Sequence, residues 1–279
     1  MNTQGLRIAV LDMNAGHANE GMRCIKLLVE NFLAQDTTTG SYAIFDVRVK
    51  NEIPNVDAYD IFISSGGPGS PLIAGAAWEP LFFGLLDDIL NYNLSHYKKK
   101  HAFLICHSFQ LACLHWDLAK VTKRRSTSFG VLPMSRTKSG EQEPVLMGLG
   151  DPFYAVDSRD YQVIGPKDWK LDSLDGRVLC IEKSRPHIPL ERAVMAIRFT
   201  KEIFGTQFHP EADAEGMLRH FQKEEKRAQI IKKFGKKKYL EMINFLDDET
   251  KIAKTNAIII PNFLQQAAIA IKESLLLTV

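Results

Sequence analysis

Short apolar runs alternate with helix-spaced stretches through the first half of the chain. Arg7–Leu11 (RIAVL) is a short apolar run ended by Asp12 and Asn14, the pattern of a buried parallel strand. Asn19–Leu33 sets Met22, Ile25, Val29 and Phe32 three or four residues apart, which predicts a helix. Tyr42–Val49 alternates in part and is rich in β-formers. Tyr59–Ser64 (YDIFIS) predicts another buried strand, ended by Gly66-Gly67-Pro68-Gly69. Trp78–Tyr92 reads as a helix, His101–Cys106 (HAFLIC) as a strand and His107–Leu118 as a helix. Strands and helices joined in turn by short links imply an α/β sheet with parallel strands.

The middle of the chain changes character. Phe129–Met134, Tyr161–Ile164, Val178–Glu182 and Ala193–Arg198 are short β-like runs between Gly, Pro, Asp and Lys turns, predicting smaller strands or a meander near one end of the sheet. Gly205–Phe208 is a last short strand, followed at once by His209-Pro210-Glu211. From Glu215 onward the chain reads as helical and highly charged. Lys223–Lys238 is crowded with Lys and Arg, and Asn262–Leu277 has an amphipathic pattern. The triplet Ile258–Ile260 is expected to end at Pro261. The division this suggests is an α/β domain over 1–215 and a helical C-terminal extension, 216–279, packed on the same domain.

Composition narrows the classes. With 279 residues, 45% hydrophobic and 24% charged, the chain is ordinary for a globular protein. A formal net charge of +2 implies no field for nucleic acid. The basic run Lys232–Lys238 has Glu224, Glu225 and Glu241 nearby and reads as a solvated helix face. The start, MNTQGLRIAVLDMN, has no secretory pattern, and no uncharged apolar stretch approaches the ~20 residues that span a bilayer. Four cysteines (Cys24, Cys106, Cys113, Cys180) form no C-x-x-C pair and no cluster with metal-ligand spacing. A reducing cytoplasm fits such sparse cysteines, one of which is then free to be chemical.

Three constellations carry candidate chemistry. The first is the strand-to-helix turn at Cys106. A thiol delivered there stands at the carboxyl edge of the sheet, beside the free N–H groups and positive end of a helix. Both features favour thiolate, and the N–H of His107 can face a developing oxyanion. A cysteine ending a strand is also the mark of an inert buried thiol. The second is Ser65–Pro71, whose adjacent glycines let backbone N–H groups approach a ligand, or simply make a turn. The third is His209-Pro210-Glu211. A histidine at a strand end can act as base to a thiol, and a carboxylate two residues on can fix its tautomer; alone, the same residues read as a surface turn.

Taken together and in this order, the three resemble class I glutamine amidotransferases, and most closely the stand-alone glutaminase modules of GMP synthase. The resemblance covers roughly Leu6 to Glu215. The glycine loop is Ser65–Pro71, the cysteine elbow Leu104–Gln110, and the Gln-Phe-His-Pro-Glu signature stands intact at Gln207–Glu211. The fold implied is a doubly wound, mostly parallel, flavodoxin-like α/β sheet. The resemblance makes Cys106 the nucleophile, His209 the base and Glu211 its orienter. Gly67 and His107 would supply oxyanion N–H groups, with Gly66, Gln110, Ser158 and Arg159 lining the substrate pocket. Two elbow glycines of the family are Leu104 and Ser108 here, and the pocket stretch reads Ser158-Arg159-Asp160-Tyr161. Arg159 could grip a substrate carboxylate.

The activity implied is hydrolysis of the glutamine side-chain amide through a thioester, with no cofactor and no metal. The substrate is a small molecule, glutamine or a γ-glutamyl compound, and neither nucleic acid nor membrane is a partner. The sequence lacks a Gly-x-x-x-x-Gly-Lys-Ser/Thr loop, so an acceptor-handling synthetase would be a separate chain. Two other readings stand beside this one. One is a γ-glutamyl hydrolase acting alone. The other is a binding or regulatory module with a degenerate pocket, motivated by Leu104 and the Ser158–Tyr161 stretch.

Overall fold

Neighbouring residues of the predicted core strands feed two different apolar layers. The computed structural model describes residues 5–17, 19–36 and 38–276; Met1–Gln4 of the N-terminal stretch and Leu277 of the amphipathic run lie outside them. In chain order the strands are β1 (Leu6–Asp12), β2 (Gly40–Asp46), β3 (Ile61–Ser64), β4 (His101–Ile105), β5 (Lys120–Arg136), β6 (Phe153–Ile164), β7 (Arg177–Glu182), β8 (Val194–Arg198) and β9 (Ile203–Thr206). The helices are α1 (Glu20–Leu33), α2 (Val47–Lys50), α3 (Trp78–Ser95), α4 (His107–His115), α5 (Lys138–Glu141), α6 (Asp168–Ser173), α7 (Ala214–Gln222), α8 (Glu224–Phe234), α9 (Lys236–Leu246) and α10 (Ile252–Leu276).

The described strands form one nine-stranded sheet in the order β2-β1-β3-β4-β9-β8-β7-β5-β6. From β2 to β9 the pairing is parallel; from β9 to β6 it is antiparallel. In the parallel half, Ile8, Val10, Ile61, Ile63, Phe103 and Ile105 face α1 and α10. Their neighbours Ala9, Leu11, Phe62, Ala102 and Leu104 face α3 and α4. This is the doubly wound layering, and period-two side-chain alternation produces it. A third cluster joins Val131 and Val156 to α7, α8 and α9. The C-terminal helices thus contribute to two of the three apolar clusters.

Three sequence expectations are corrected. Tyr42–Val49 is not one strand: Asp46 caps α2, its side chain accepting from Val49 N–H, and the chain turns. The β-like runs at Phe129–Met134 and Tyr161–Ile164 belong to strands far longer than their apolar cores, the 17-residue β5 and the 12-residue β6. Their polar ends are held by pairing with each other, while Asp157 and Arg159 of β6 are buried as an ion pair. Gly205–Phe208 is displaced: β9 ends at Thr206. Pro261, which closes the Ile258–Ile260 triplet, sits inside α10. An interior proline costs about 3 kcal/mol, and the burial of Ile259, Ile260, Phe263 and Leu264 on both sides of it offsets that cost.

Candidate active site

The elbow starts where β4 stops. Cys106 N–H still donates to Thr206 on β9 (2.7 Å), and the Cys106 carbonyl already accepts the first α4 hydrogen bond from Gln110 N–H (3.0 Å). Between these two commitments Cys106 is forced to φ 48°, ψ −95°. For a side-chain-bearing residue such backbone costs about 1–3 kcal/mol, and it persists because strand and helix fix both flanks. Cys106 is the N-cap of α4 and makes no side-chain cap hydrogen bond, so its sulfur is not spent on the helix. His107, first residue of the helix, has an N–H without an intrahelical acceptor.

His209 arrives from the other side. Its N–H donates to Val156 on β6 (2.9 Å), and its ring Nδ1 lies 2.7 Å from Glu211 Oε1. Glu211 is buried, and Asn256 on α10 donates to its backbone carbonyl (2.7 Å). The first turn of α1 also abuts the carboxylate. A Cβ added at Gly21 would lie 3.2 Å from Glu211 Oε1, and a helix N-terminus favours a negative charge placed there. Burial opposes a charge on the imidazole. The Glu211 carboxylate and the Cys106 sulfur outweigh it and hold the His209 pKa well above the ordinary histidine value.

Gly66 separates the two arms. A Cβ there would lie 2.8 Å from His209 Cε1 and 3.4 Å from Cys106 Cβ, so only glycine lets them converge. Gly67 is constrained differently, since a Cβ would come within 2.3 Å of the Met13 carbonyl. The loop is also oriented. Ser65 Oγ accepts from Met13 N–H (2.9 Å) and donates to the Gly66 carbonyl (2.9 Å). In a trans peptide the N–H points opposite to the carbonyl, so Gly67 N–H is turned away from Ser65. Arg48 donates to the Pro68 carbonyl (2.6 Å) and so holds the next turn of the loop.

The elbow departures have physical accounts. Leu104 is buried in the layer facing α3 and α4, and its register partner on β9 is Gly205. A Cβ at Gly205 would lie 2.8 Å from both Phe109 and Phe199, so the missing side chain on β9 gives these rings their room. Ser108 is fully buried. Its hydroxyl lies 2.7 Å from Ser64 Oγ and donates to the Ser65 carbonyl (2.7 Å), tying the elbow helix to the glycine loop.

The pocket residues divide. Gln110 lines the cleft, but its amide donates to Gln207 Oε1 (2.9 Å), and Gln207 Nε2 in turn lies 3.6 Å from Cys106 Sγ. Ser158 is exposed on the cleft wall. Arg159 lines the cleft too, yet its guanidinium is buried against Asp157 (3.0 Å) and Glu182 (3.2 Å), so its carboxylate partners are the protein's own. The His107 side chain packs near Trp78, and burial pushes its pKa down to about 4, which keeps the ring neutral. Burial raises the other three thiols: Cys24 to about 12, with Cys113 and Cys180 also shifted upward.

The sequence reading left out Asn256, Ser65 and Gln207 as site supports, and also the C-terminal wall of the cleft. Met217, Phe221, Lys226, Ile230 and Lys233 of α7 and α8 line a cavity of about 720 Å³ that contains Cys106 and His209. No sequence signal marks Asn256, whose neighbours are ordinary helix residues. Lys226 and Lys233 lie in or beside the basic run read as solvated. Among the described residues no group of His, Cys, Asp and Glu is arranged to hold a metal, and no helix is long and apolar enough to cross a membrane.

Comparison with known proteins bears on the family and the fold. The family described as glutamine amidotransferase class-I matches residues 30–225, more than half of the chain. No curated protein sequence matches significantly. Among solved structures, the fold is similar to a glutamine amidotransferase from Thermotoga maritima, with TM-score 0.67 and 14% identity over 95% of this chain and 98% of that one. It is also similar to a glutamine amido transferase from Methylobacillus flagellatus, with TM-score 0.61 and 11% identity over 94% and 95% of the two chains. The glutaminase domain of Trypanosoma brucei CTPS aligns at TM-score 0.51 and 12% identity over 74% and 86%. These likenesses establish the fold, and the family match over residues 30–225 establishes that the chain belongs to the class I glutamine amidotransferases.

Proposed function

We propose that this protein hydrolyses the side-chain amide of glutamine through a γ-glutamyl thioester on Cys106. The observation that carries this reading is the convergence of the strained Cys106 elbow with the His209–Glu211 pair across Gly66. In this reading the Cys106 sulfur attacks the amide carbon, and the N–H groups of Gly67 and His107 receive the oxyanion. The C–N bond breaks as His209 gives its proton to departing ammonia. His209 then takes a proton from water, the new C–O bond forms, the C–S bond breaks, and glutamate leaves. Glu211 holds the imidazole in the tautomer both steps need. Gln110 acts through Gln207, and Ser158 stands at the rim as a substrate contact.

The ammonia would pass to an acceptor handled by a separate synthetase chain. The resemblance of Gln207–Glu211 and its companions to stand-alone GMP synthase glutaminase modules supports this. The size of the cleft favours a second reading, hydrolysis of larger γ-glutamyl amides without a partner. Glutamate release from L-glutamine, measured for the wild type and Cys106→Ala, tests the proposal. Release that vanishes in the variant is expected; release that survives it would overturn the assigned nucleophile.

A further inference from the structure

The cleft extends well past Cys106, between α8 and the β5–β6 ribbon. Its outer wall combines Phe129 on β5 with Lys226, Ile230, Lys233 and Phe234 on α8. The spacing of Lys226, Ile230 and Lys233 puts them on one face of the helix. Phe129 and Phe234 stack at 4.6 Å with 6° between planes, and Lys233 Nζ lies 5.1 Å from the Phe234 centroid. The charges around this wall are unequally matched. The acidic groups are already engaged: Asp160 accepts from Thr127 Oγ1 (2.6 Å), and Glu20 pairs with Arg23 (2.7 Å). Lys226 hydrogen-bonds the Gln229 amide oxygen (3.4 Å), and its charge bears on His220, a cleft residue whose pKa burial and this charge lower, while Lys233 lies over the Phe234 ring. Among the described residues no ion pair to a carboxylate is formed by either lysine. Arg159, the other strong cation on the wall, is spent on Asp157 and Glu182. About 720 Å³ suits a ligand much larger than one amino acid amide.

We infer that this outer cleft is a subsite for the amine-side group of a γ-glutamyl amide, and that the group it takes is planar, apolar and carboxylate-bearing. The inference rests on the γ-glutamyl thioester chemistry proposed above and names its substrate class. The γ-glutamyl part reaches Cys106, the planar part lies along Phe129 and Phe234, and the carboxylate meets Lys226 and Lys233. The C–N bond breaks, the thioester C–S bond forms, and the departing amine takes its proton from His209. Water then cleaves the thioester to glutamate.

A matched pair of chromogenic substrates tests this: γ-glutamyl-3-carboxy-4-nitroanilide and γ-glutamyl-4-nitroanilide, which differ only in the carboxylate. The expected kcat/KM ratio is about tenfold in favour of the carboxylated compound, the scale of charge-assisted contacts to partly exposed lysines. It should fall toward unity in the Lys226→Gln/Lys233→Gln variant. The ratio is internal to each protein, so partial misfolding does not move it, and Lys233→Gln alone serves if the double variant is insoluble. A wild-type ratio near one, a ratio unchanged in the variants, or turnover of glutamine but of neither anilide would overturn the subsite while leaving glutaminase chemistry intact. A protein inert toward glutamine and both anilides would remove the parent reading and the subsite with it.

Discussion

Asn256 of α10 donates its side-chain amide to the backbone carbonyl of Glu211 at 2.7 Å. This bond ties a helix that follows the matched family region to the backbone of the residue whose carboxylate stands behind His209. Replacing Asn256 with Ala should lower kcat about three- to tenfold with KM for glutamine nearly unchanged, since the loss is of positioning. Steady-state kinetics on a variant with wild-type circular dichroism would check it. A rise in KM alone would place the effect in binding instead.

Gly66 sets the distance between the two arms. A methyl group there would stand 2.8 Å from His209 Cε1, closer than real contacts allow, and the ring must move. Gly66→Ala should cost at least about 100-fold in kcat, the scale of a misplaced catalytic group, while the thermal midpoint changes little. Full activity in this variant would mean that His209 does not work from the observed position.

Glu211 keeps His209 charged, so removing that carboxylate has a definite sign. In Glu211→Gln the imidazole pKa falls, and the alkaline limb of the kcat/KM profile should move to lower pH by about 1–3 units. Stability follows the same linkage. A histidine with a raised folded pKa contributes stability that is fully present below its unfolded pKa and lost as pH rises through the folded one. The variant should therefore lose more stability in mildly acidic buffer than in alkaline buffer. Denaturant titrations at two pH values would read this directly.

Arg159 is held by Asp157 and Glu182 and buried with them. Arg159→Met leaves Asp157 with Ser128 as its hydrogen-bonding side chain and should cost about 3–5 kcal/mol of folding stability. A variant as stable as wild type but with a raised KM would instead make Arg159 a substrate contact.

These residues also mark how far the sequence could be read. Strands β1, β3 and β4 were legible because they are buried on both faces, and a short apolar run such as IAVL or AFLI has few other uses; β2, at the sheet edge with no buried residue, was only partly read. The candidate site was legible only through the joint order of the Ser65–Pro71 loop, the Cys106 turn and the Gln207–Glu211 signature, which carries the resemblance; His209 and Glu211 alone read as a surface turn, and they follow β9, which ends at Thr206. Strands β5 and β6 were only partly legible, since their ends are polar and are held by pairing and ion pairs: Arg124 and Arg159 both meet Glu182, which is distant in sequence. Ser65 and Gln207 stood inside the quoted motifs but their supporting bonds were not foreseen, and Asn256 gave no warning, because a hydroxyl or amide that orients another group leaves no periodic or compositional trace.

The central claim is that Cys106, alone among four cysteines, is a nucleophile aimed at a γ-glutamyl carbonyl. Its most direct test is to treat the protein with a diazo-ketone analogue of glutamine and map the modified residue by peptide mass spectrometry. The account predicts stoichiometric labelling of Cys106, blocked by excess glutamine and slowed strongly by His209→Ala. Labelling of Cys24, Cys113 or Cys180 at a comparable rate, or an unlabelled Cys106, would contradict it.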